Sequence, residues 1–422
     1  LKLATGSGKT FTAIKILEKH IATGSHVVIT VPGKLLLQQW YVEIKKELPR
    51  VFILRCGDGN TAWKKRGAIE NFLSHSNDSE GSIILATNDT ASNSTFLKRI
   101  SNYSENILLV SDEVHSLGSE NNRKILQVNF GKRLGLSATP ERYRDEEGTN
   151  AILDYFNGII KPVVSLVDAI KAGRLVQYQY FPHVVSLTAD EEEEWKNWTE
   201  KITNYIRGND LQNDADLLKD NILSNLFIQR SRIIKKARQK IDETLRIIEQ
   251  NYSKGEHWLV YCEDTPQLEE LNDKLRSLDF EPLIYTSNFD GDATAELKYF
   301  ERNGGVLLSI RCLDEGVDIP KISHALIMAS SQNPRQFIKR RGRFLRSHPD
   351  KLQAIIYDVL VKPTETHSSE NNFSTLILSE IKRAIEFSQN ATNHVSSSST
   401  LRNYLINVGI DPDEIEDIQS TE

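Results

Sequence analysis

The chain has 422 residues, 39% of them hydrophobic and 26% charged; at about 150 residues per domain this is a globular protein of two or three domains, which excludes disordered, collagen-like and membrane-spanning classes. No run approaches the roughly 18 apolar residues that span a bilayer, and no charged-then-apolar leader opens the chain, so a cytoplasmic or nuclear setting is expected. The net charge of -6 hides a split, with acid gathered at 190–194 and 411–422 and base at 230–246 and 335–346, so a local footprint for a nucleic acid is compatible with the acidic total.

The first element is a glycine turn, Ala4-Thr5-Gly6-Ser7-Gly8-Lys9-Thr10, opening an apolar-periodic helix. In a phosphate loop the glycines let backbone N–H groups approach the phosphates, the lysine reaches the β- and γ-phosphates, and the threonine hydroxyl coordinates Mg²⁺. Such a loop follows a buried strand, so the strand preceding Ala4, with any upstream region, is expected to lie outside this sequence. Short apolar runs then alternate with helical patterns at 27–31, 82–86, 107–110 and 133–137, the signature of a parallel sheet flanked by helices. Directly after the third run stands Asp112-Glu113-Val114-His115, which places Asp112 to hold Mg²⁺ and Glu113 to orient and deprotonate the attacking water. His115 either bridges the nucleotide to the next segment or is a satisfied core histidine.

Residues 190–250 carry apolar positions at helical spacing and read as a helical insertion. One helix over 230–246 bears Arg230, Arg232, Lys235, Lys236, Arg238 and Lys240; a solvated outer face is the ordinary explanation, and contact with a strand backbone the alternative. Trp195 and Trp198 either pack the insertion onto a lobe or stack on bases. A second set of strand runs at 258–262, 282–285, 306–310, 324–328 and 354–357 implies a second α/β lobe. The cysteines, Cys56, Cys262 and Cys312, are odd in number and show no metal-binding spacing. The Ser- and Asn-rich tail from 366 holds helical stretches at 377–387 and 401–408, with the serine run 396–399 expected to be a flexible joint.

Together the loop and the Asp-Glu-x-His pair resemble the superfamily-2 helicases and translocases, and the rest of the chain follows that pattern over roughly residues 3–360. Pro32 and Gln39-Trp40 look like motif Ia, Thr87 like the backbone-contacting motif after it, and Ser137-Ala138-Thr139 like motif III. Leu313-Asp314-Glu315-Gly316-Val317-Asp318-Ile319-Pro320 looks like motif V, and Lys339-Arg340-Arg341-Gly342-Arg343-Phe344-Leu345-Arg346 like motif VI. Leu3 and Lys339 depart from the family's usual residues. The spellings are most similar to the DNA motors of excision repair and the translocating subunits of restriction enzymes.

The resemblance implies an α/β fold of two tandem RecA-like parallel-sheet lobes with a helical insertion and a helical C-terminal tail. Its expected boundaries are lobe 1 at 1–165, a crossover at 166–189, the insertion at 190–250, lobe 2 at 251–365 and the tail at 366–422. It implies ATP and Mg²⁺ as cofactors, with Thr5, Gly6, Ser7, Gly8, Lys9, Thr10, Gly316 and Asp318 binding the nucleotide, Thr10 and Asp112 the metal, and Glu113, Arg343 and Arg346 catalysing hydrolysis as the lobes close. The expected partner is nucleic acid, duplex or forked DNA ahead of RNA, with a nuclease or other effector supplied by an upstream region or another subunit. An ATP-gated clamp without sustained translocation and an RNA helicase are the alternatives; a P-loop kinase or GTPase would not need the motif VI arginines.

Overall fold

The computed structural model describes residues 1–74, 81–142, 145–209, 220–286, 293–310, 319–329, 342, 344–362 and 375–407. The described residues divide into two compact units: those of 1–175 with 342 and 344–346, and the remainder.

The sheet of the first unit has the order β2-β3-β1-β4-β5 (Phe52–Cys56, Ser82–Thr87, His26–Val31, Ile107–Asp112, Lys132–Leu136), and every pairing is parallel. Parallel strands covered on both faces are uniformly apolar, and β1, β3 and β4 are buried along their whole length. Alternate side chains therefore enter opposite cores. Val27, Ile29 and Val31 pack with helices α1 (Lys9–Ile21) and α2 (Lys34–Glu47), whereas Val28, Ile84 and Leu109 pack with Trp63, Phe96 and Ile100.

At the start of the chain, Leu3 N and Ala4 N donate to Ser137 O and Val164 O, while Lys2 O and Leu1 O accept from Val164 N and Ser137 N, so the backbone entering the phosphate loop makes parallel bridges to Ser137 and Val164.

The second unit holds a six-stranded parallel sheet of order β6-β11-β10-β7-β9-β8 (Gln177–Ser186, Gln353–Lys362, His324–Ile327, His257–Cys262, Gly305–Ile310, Leu283–Tyr285). β6 falls inside the stretch read as a crossover. It pairs along ten residues with β11 and, among the described residues, with no other strand, and at this edge it tolerates Pro182, which has no N–H to give.

The segment 230–246 is two helices, Asn221–Lys235 and Arg238–Asn251, broken at Lys236 and Ala237. Three of its basic residues are buried, which corrects the solvated-face reading for them. Arg230 lies over the rings of Trp195 and Phe227, Lys235 pairs with Glu263 at 3.1 Å, and Lys240, fully buried, donates to the Met328 carbonyl at 2.7 Å. Trp195 and Trp198 pack against the core of this unit, as the packing alternative required.

The serine run 396–399 lies within the helix His394–Asn407, not in a joint. Ser397 is buried and its hydroxyl sits 2.7 Å from that of Ser388 on the preceding helix, Thr375–Gln389. Just before the run, the Asn393 amide bonds both the N–H and the carbonyl of Tyr180, capping the free edge of β6. Tertiary partners thus hold a segment of modest helix propensity in one shape.

Candidate nucleotide site

The loop before α1 turns on two glycines with positive φ, Gly6 at 83° and Gly8 at 96°. Both conformations are strained for any residue with a Cβ. At Gly6 there is also no room, since a Cβ would come within 2.8 Å of Leu175 Cδ2 and 2.9 Å of Gly342 O. Ser7 ties the loop by donating its hydroxyl to Ala4 O at 2.6 Å. The N-terminus of α1 carries no acidic residue in its first turn, so its N–H groups and dipole present positive potential at the loop. Lys9 Nζ folds back to the Leu3 carbonyl at 3.3 Å, and Thr10 stands beside it on the first turn. Thr5 borders an open recess of about 200 Å³ also lined by Ala4, Ala138, Ser165 and Gly342.

Asp112 ends β4, between β1 and β5, with Thr30 Oγ1 donating to Ser111 Oγ at 2.9 Å just beneath it. Its carboxylate is buried and takes two N–H donors: Trp40 Nε1 to Oδ2 at 2.8 Å and Glu113 N to Oδ1 at 2.9 Å. Burial, then the charge of Glu113, push its pKa above the ordinary carboxylate range, while the Trp40 bond and the Lys9 ammonium pull the other way. The loop lysine and the strand-end carboxylate, predicted separately, therefore share one electrostatic environment.

Glu113 has left-handed backbone angles, φ 48° and ψ 50°, unusual for a residue other than glycine. This turns the chain sharply out of the sheet into the 3₁₀ turn Val114–Gly118. His115 Nδ1 lies 3.4 Å from Glu113 Oε2 and 3.3 Å from Ser137 Oγ, which in turn accepts from Thr139 N at 3.1 Å. His115 is thus the bridge between the acidic pair and Ser137-Ala138-Thr139. Arg142 braces the same turn by donating to the His115 carbonyl while paired with Asp145.

Sequence reasoning places Trp40 in a motif-Ia-like segment but misses both Trp40 and Arg142 as supports of this site; Leu37, Trp40 and Ile44 form the buried face of α2, so the helical periodicity marks the tryptophan as core. Arg346 is half-buried and pairs through its backbone with Leu175. Gly316, Asp318 and Arg343 lie outside the described residues.

Residues 1–142 match the family of the type III restriction enzyme res subunit, and residues 239–348 match the helicase conserved C-terminal domain. Over 383 residues the chain is 30% identical to the DNA 3'-5' translocase XPB2 of Sulfurisphaera tokodaii, covering 86% of this chain and 77% of that protein. It is 21% identical to a putative ATP-dependent RNA helicase of Methanocaldococcus jannaschii, covering 84% of this chain and 55% of the relative. Among solved structures, the ATP-dependent type ISP restriction-modification enzyme LlaBIII bound to DNA superposes with a TM-score of 0.63 at 15% identity, over 92% of this chain and 28% of that one. The helicase domain of Pyrococcus furiosus Hef does so with a TM-score of 0.51 at 16% identity, over 86% and 92%. At such identities these two speak for the fold alone, two RecA-like lobes. By its motifs and its XPB2 relative, the chain belongs to the superfamily-2 helicases and translocases, ATP-hydrolysing motors, in the group of the XPB-type translocases and restriction-enzyme motor subunits.

Proposed function

We propose that this chain is the motor of a DNA translocase or helicase, acting on duplex or forked DNA and drawing its work from ATP with Mg²⁺. The observation that carries the reading is the convergence of a glycine loop and Lys9 at a helix N-terminus with a buried, doubly hydrogen-bonded Asp112 at the end of β4. The donor set fits the group: an oxygen-only pair, the Thr10 hydroxyl and the Asp112 carboxylate, suits a hard divalent cation. When bound, Mg²⁺ draws charge from the β- and γ-phosphate oxygens.

The protein's part is then electrostatic and positional. Backbone N–H groups of Thr5, Gly6, Ser7 and Gly8 cradle the phosphates, and Lys9 holds the β- and γ-oxygens. Glu113 orients the attacking water and takes its proton, with His115 carrying the state of that carboxylate to Ser137. Arg343 and Arg346 meet charge that develops in the transition state, and Gly316 and Asp318 complete nucleotide binding. Grip on DNA is through sugar and phosphate, which positions a motor without reading sequence. A nuclease or other effector on a companion subunit or upstream region would set the pathway, in the cytoplasm or nucleus.

Steady-state ATPase rates with duplex DNA, single-stranded DNA and RNA side by side test the reading. Duplex or forked DNA is expected to stimulate most, with affinity falling steeply as salt rises. Stimulation by RNA above DNA would overturn the DNA assignment, and nucleotide-dependent duplex binding without directional strand displacement or translocation would favour the clamp.

A further inference from the structure

We infer that Trp40 is a positioning residue for the metal-holding carboxylate, its indole N–H fixing the direction in which Asp112 presents its remaining lone pairs; the inference rests on the proposed role of Asp112 as a Mg²⁺ ligand. Each carboxylate oxygen has two acceptor sites. One site on Oδ2 is filled by Trp40 Nε1 at 2.8 Å and one on Oδ1 by the Glu113 N–H at 2.9 Å, leaving one on each oxygen for a ligand. Rotation of the carboxylate would break both bonds at once.

Neither donor can follow such a rotation. The Glu113 N–H belongs to the backbone leaving β4, and the indole is 1% exposed, wedged in the core cluster that includes Leu37, Ile44, Val110 and Leu136. A buried indole does not by itself demand a carboxylate, since Trp63 Nε1 is buried without a hydrogen-bond partner among the described residues. Trp198 and Trp258 do donate to carboxylates, of Glu194 and Glu256, but these reach solvent. In the Trp40–Asp112 pair both side chains are withdrawn from water, so the bond stands in for lost hydration and, with no water able to replace it, also fixes the direction of the carboxylate. Outer partners of this kind set the basicity and aim of a metal ligand, and losing one weakens metal binding on the order of 10- to 100-fold.

Two replacements in the full chain test this: Trp40→Phe, and Trp40 exchanged for 3-benzothienylalanine, which keeps the bicyclic shape and puts sulfur in place of the N–H. Equilibrium binding of a non-hydrolysable ATP analogue is measured without metal and across a Mg²⁺ titration. Metal-free affinity is expected to stay at the wild-type value while the Mg²⁺ concentration for half-saturation rises on the order of 10- to 100-fold, with turnover recovering at high Mg²⁺. The isosteric replacement decides the matter if Trp40→Phe does not fold. Wild-type Mg²⁺ half-saturation in the isostere, or an equal loss of metal-free binding, would overturn the inference. Asp112→Asn separates the two levels: if it leaves the Mg²⁺ response unchanged, the metal-ligand reading fails and the inference with it; if it removes the response while the isostere does not shift it, only the role of Trp40 fails.

Discussion

Replacing Glu113 by asparagine is expected to make the first unit more stable and catalytically silent at once. Two stabilising changes are involved, and a companion Glu113→Gln separates them. Glutamine removes the charge beside buried Asp112, which burial and this neighbour already push toward its protonated form, but it leaves the left-handed backbone at φ 48° untouched. Asparagine removes the same charge and is also one of the few residues that visit that region readily. Left-handed geometry costs an ordinary L-residue roughly 1–2 kcal/mol, of which asparagine recovers about 1 kcal/mol. For a unit of this size that corresponds to a melting point roughly 2–4 °C above that of Glu113→Gln. Both variants lose the base at the attacking water, so turnover is expected to fall by at least about a hundredfold in each while nucleotide binding persists. Nucleotide-free thermal melts and steady-state ATPase rates measure the two halves. An Asn variant that melts no higher than the Gln variant would refute the strain argument, and robust hydrolysis by Glu113→Gln would refute the base assignment.

Arg383 clasps Asp358 through Nε and Nη2 at 2.9–3.2 Å where the aspartate is wholly buried, and Tyr180 donates to the same carboxylate at 3.0 Å. Arg383→Met, which strands that charge, should cost the second unit about 3–5 kcal/mol in urea unfolding, and adding Asp358→Asn should restore most of it; an equal loss in the double variant would show that packing of the tail helix, not charge, was at stake. Burial lowers the pKa of His20 and His26, so the unfolded chain binds the protons first. The histidine contribution to the stability of the first unit should therefore be level above pH of about 6.5 and be lost as pH falls below it, read as the difference between wild type and His26→Gln; a difference that does not change below that pH would contradict the burial argument. Arg346→Ala should lower kcat by at least about a hundredfold with little change in ATP affinity, and Arg346→Lys should rescue poorly for want of the planar fork. If ATP affinity falls instead, Arg346 binds the ground state.

The residues that carry chemistry were legible in the chain wherever the chemistry needs them close together in sequence. A phosphate loop must put glycines, Lys9 and Thr10 on consecutive positions, because backbone N–H groups do the binding; likewise Asp112, Glu113 and His115 must leave one strand end together. The fully covered strands β1, β3 and β4 were legible for a related reason, since burial on both faces permits only apolar runs. Elements whose state depends on a distant partner were not. β6 alternates Gln177, Tyr178, Gln179 and Tyr180 at a strand's period, but Pro182 interrupts it and the stretch reads as part of a crossover; β11 on one side and Asn393 on the other decide that it is an edge strand. The serine run 396–399 is polar enough for a joint and becomes helix because Ser388 and the neighbouring core hold it. The basic stretch 230–246 looks like a solvated face, and only the positions of Trp195, Glu263 and Met328 decide that Arg230, Lys235 and Lys240 turn inward. Trp40 and Asp112 stand 72 residues apart and meet only when α2 packs onto the sheet. A buried polar group must find its partner wherever the fold delivers one, and that choice is made by three-dimensional packing, which leaves no periodicity in the chain to read.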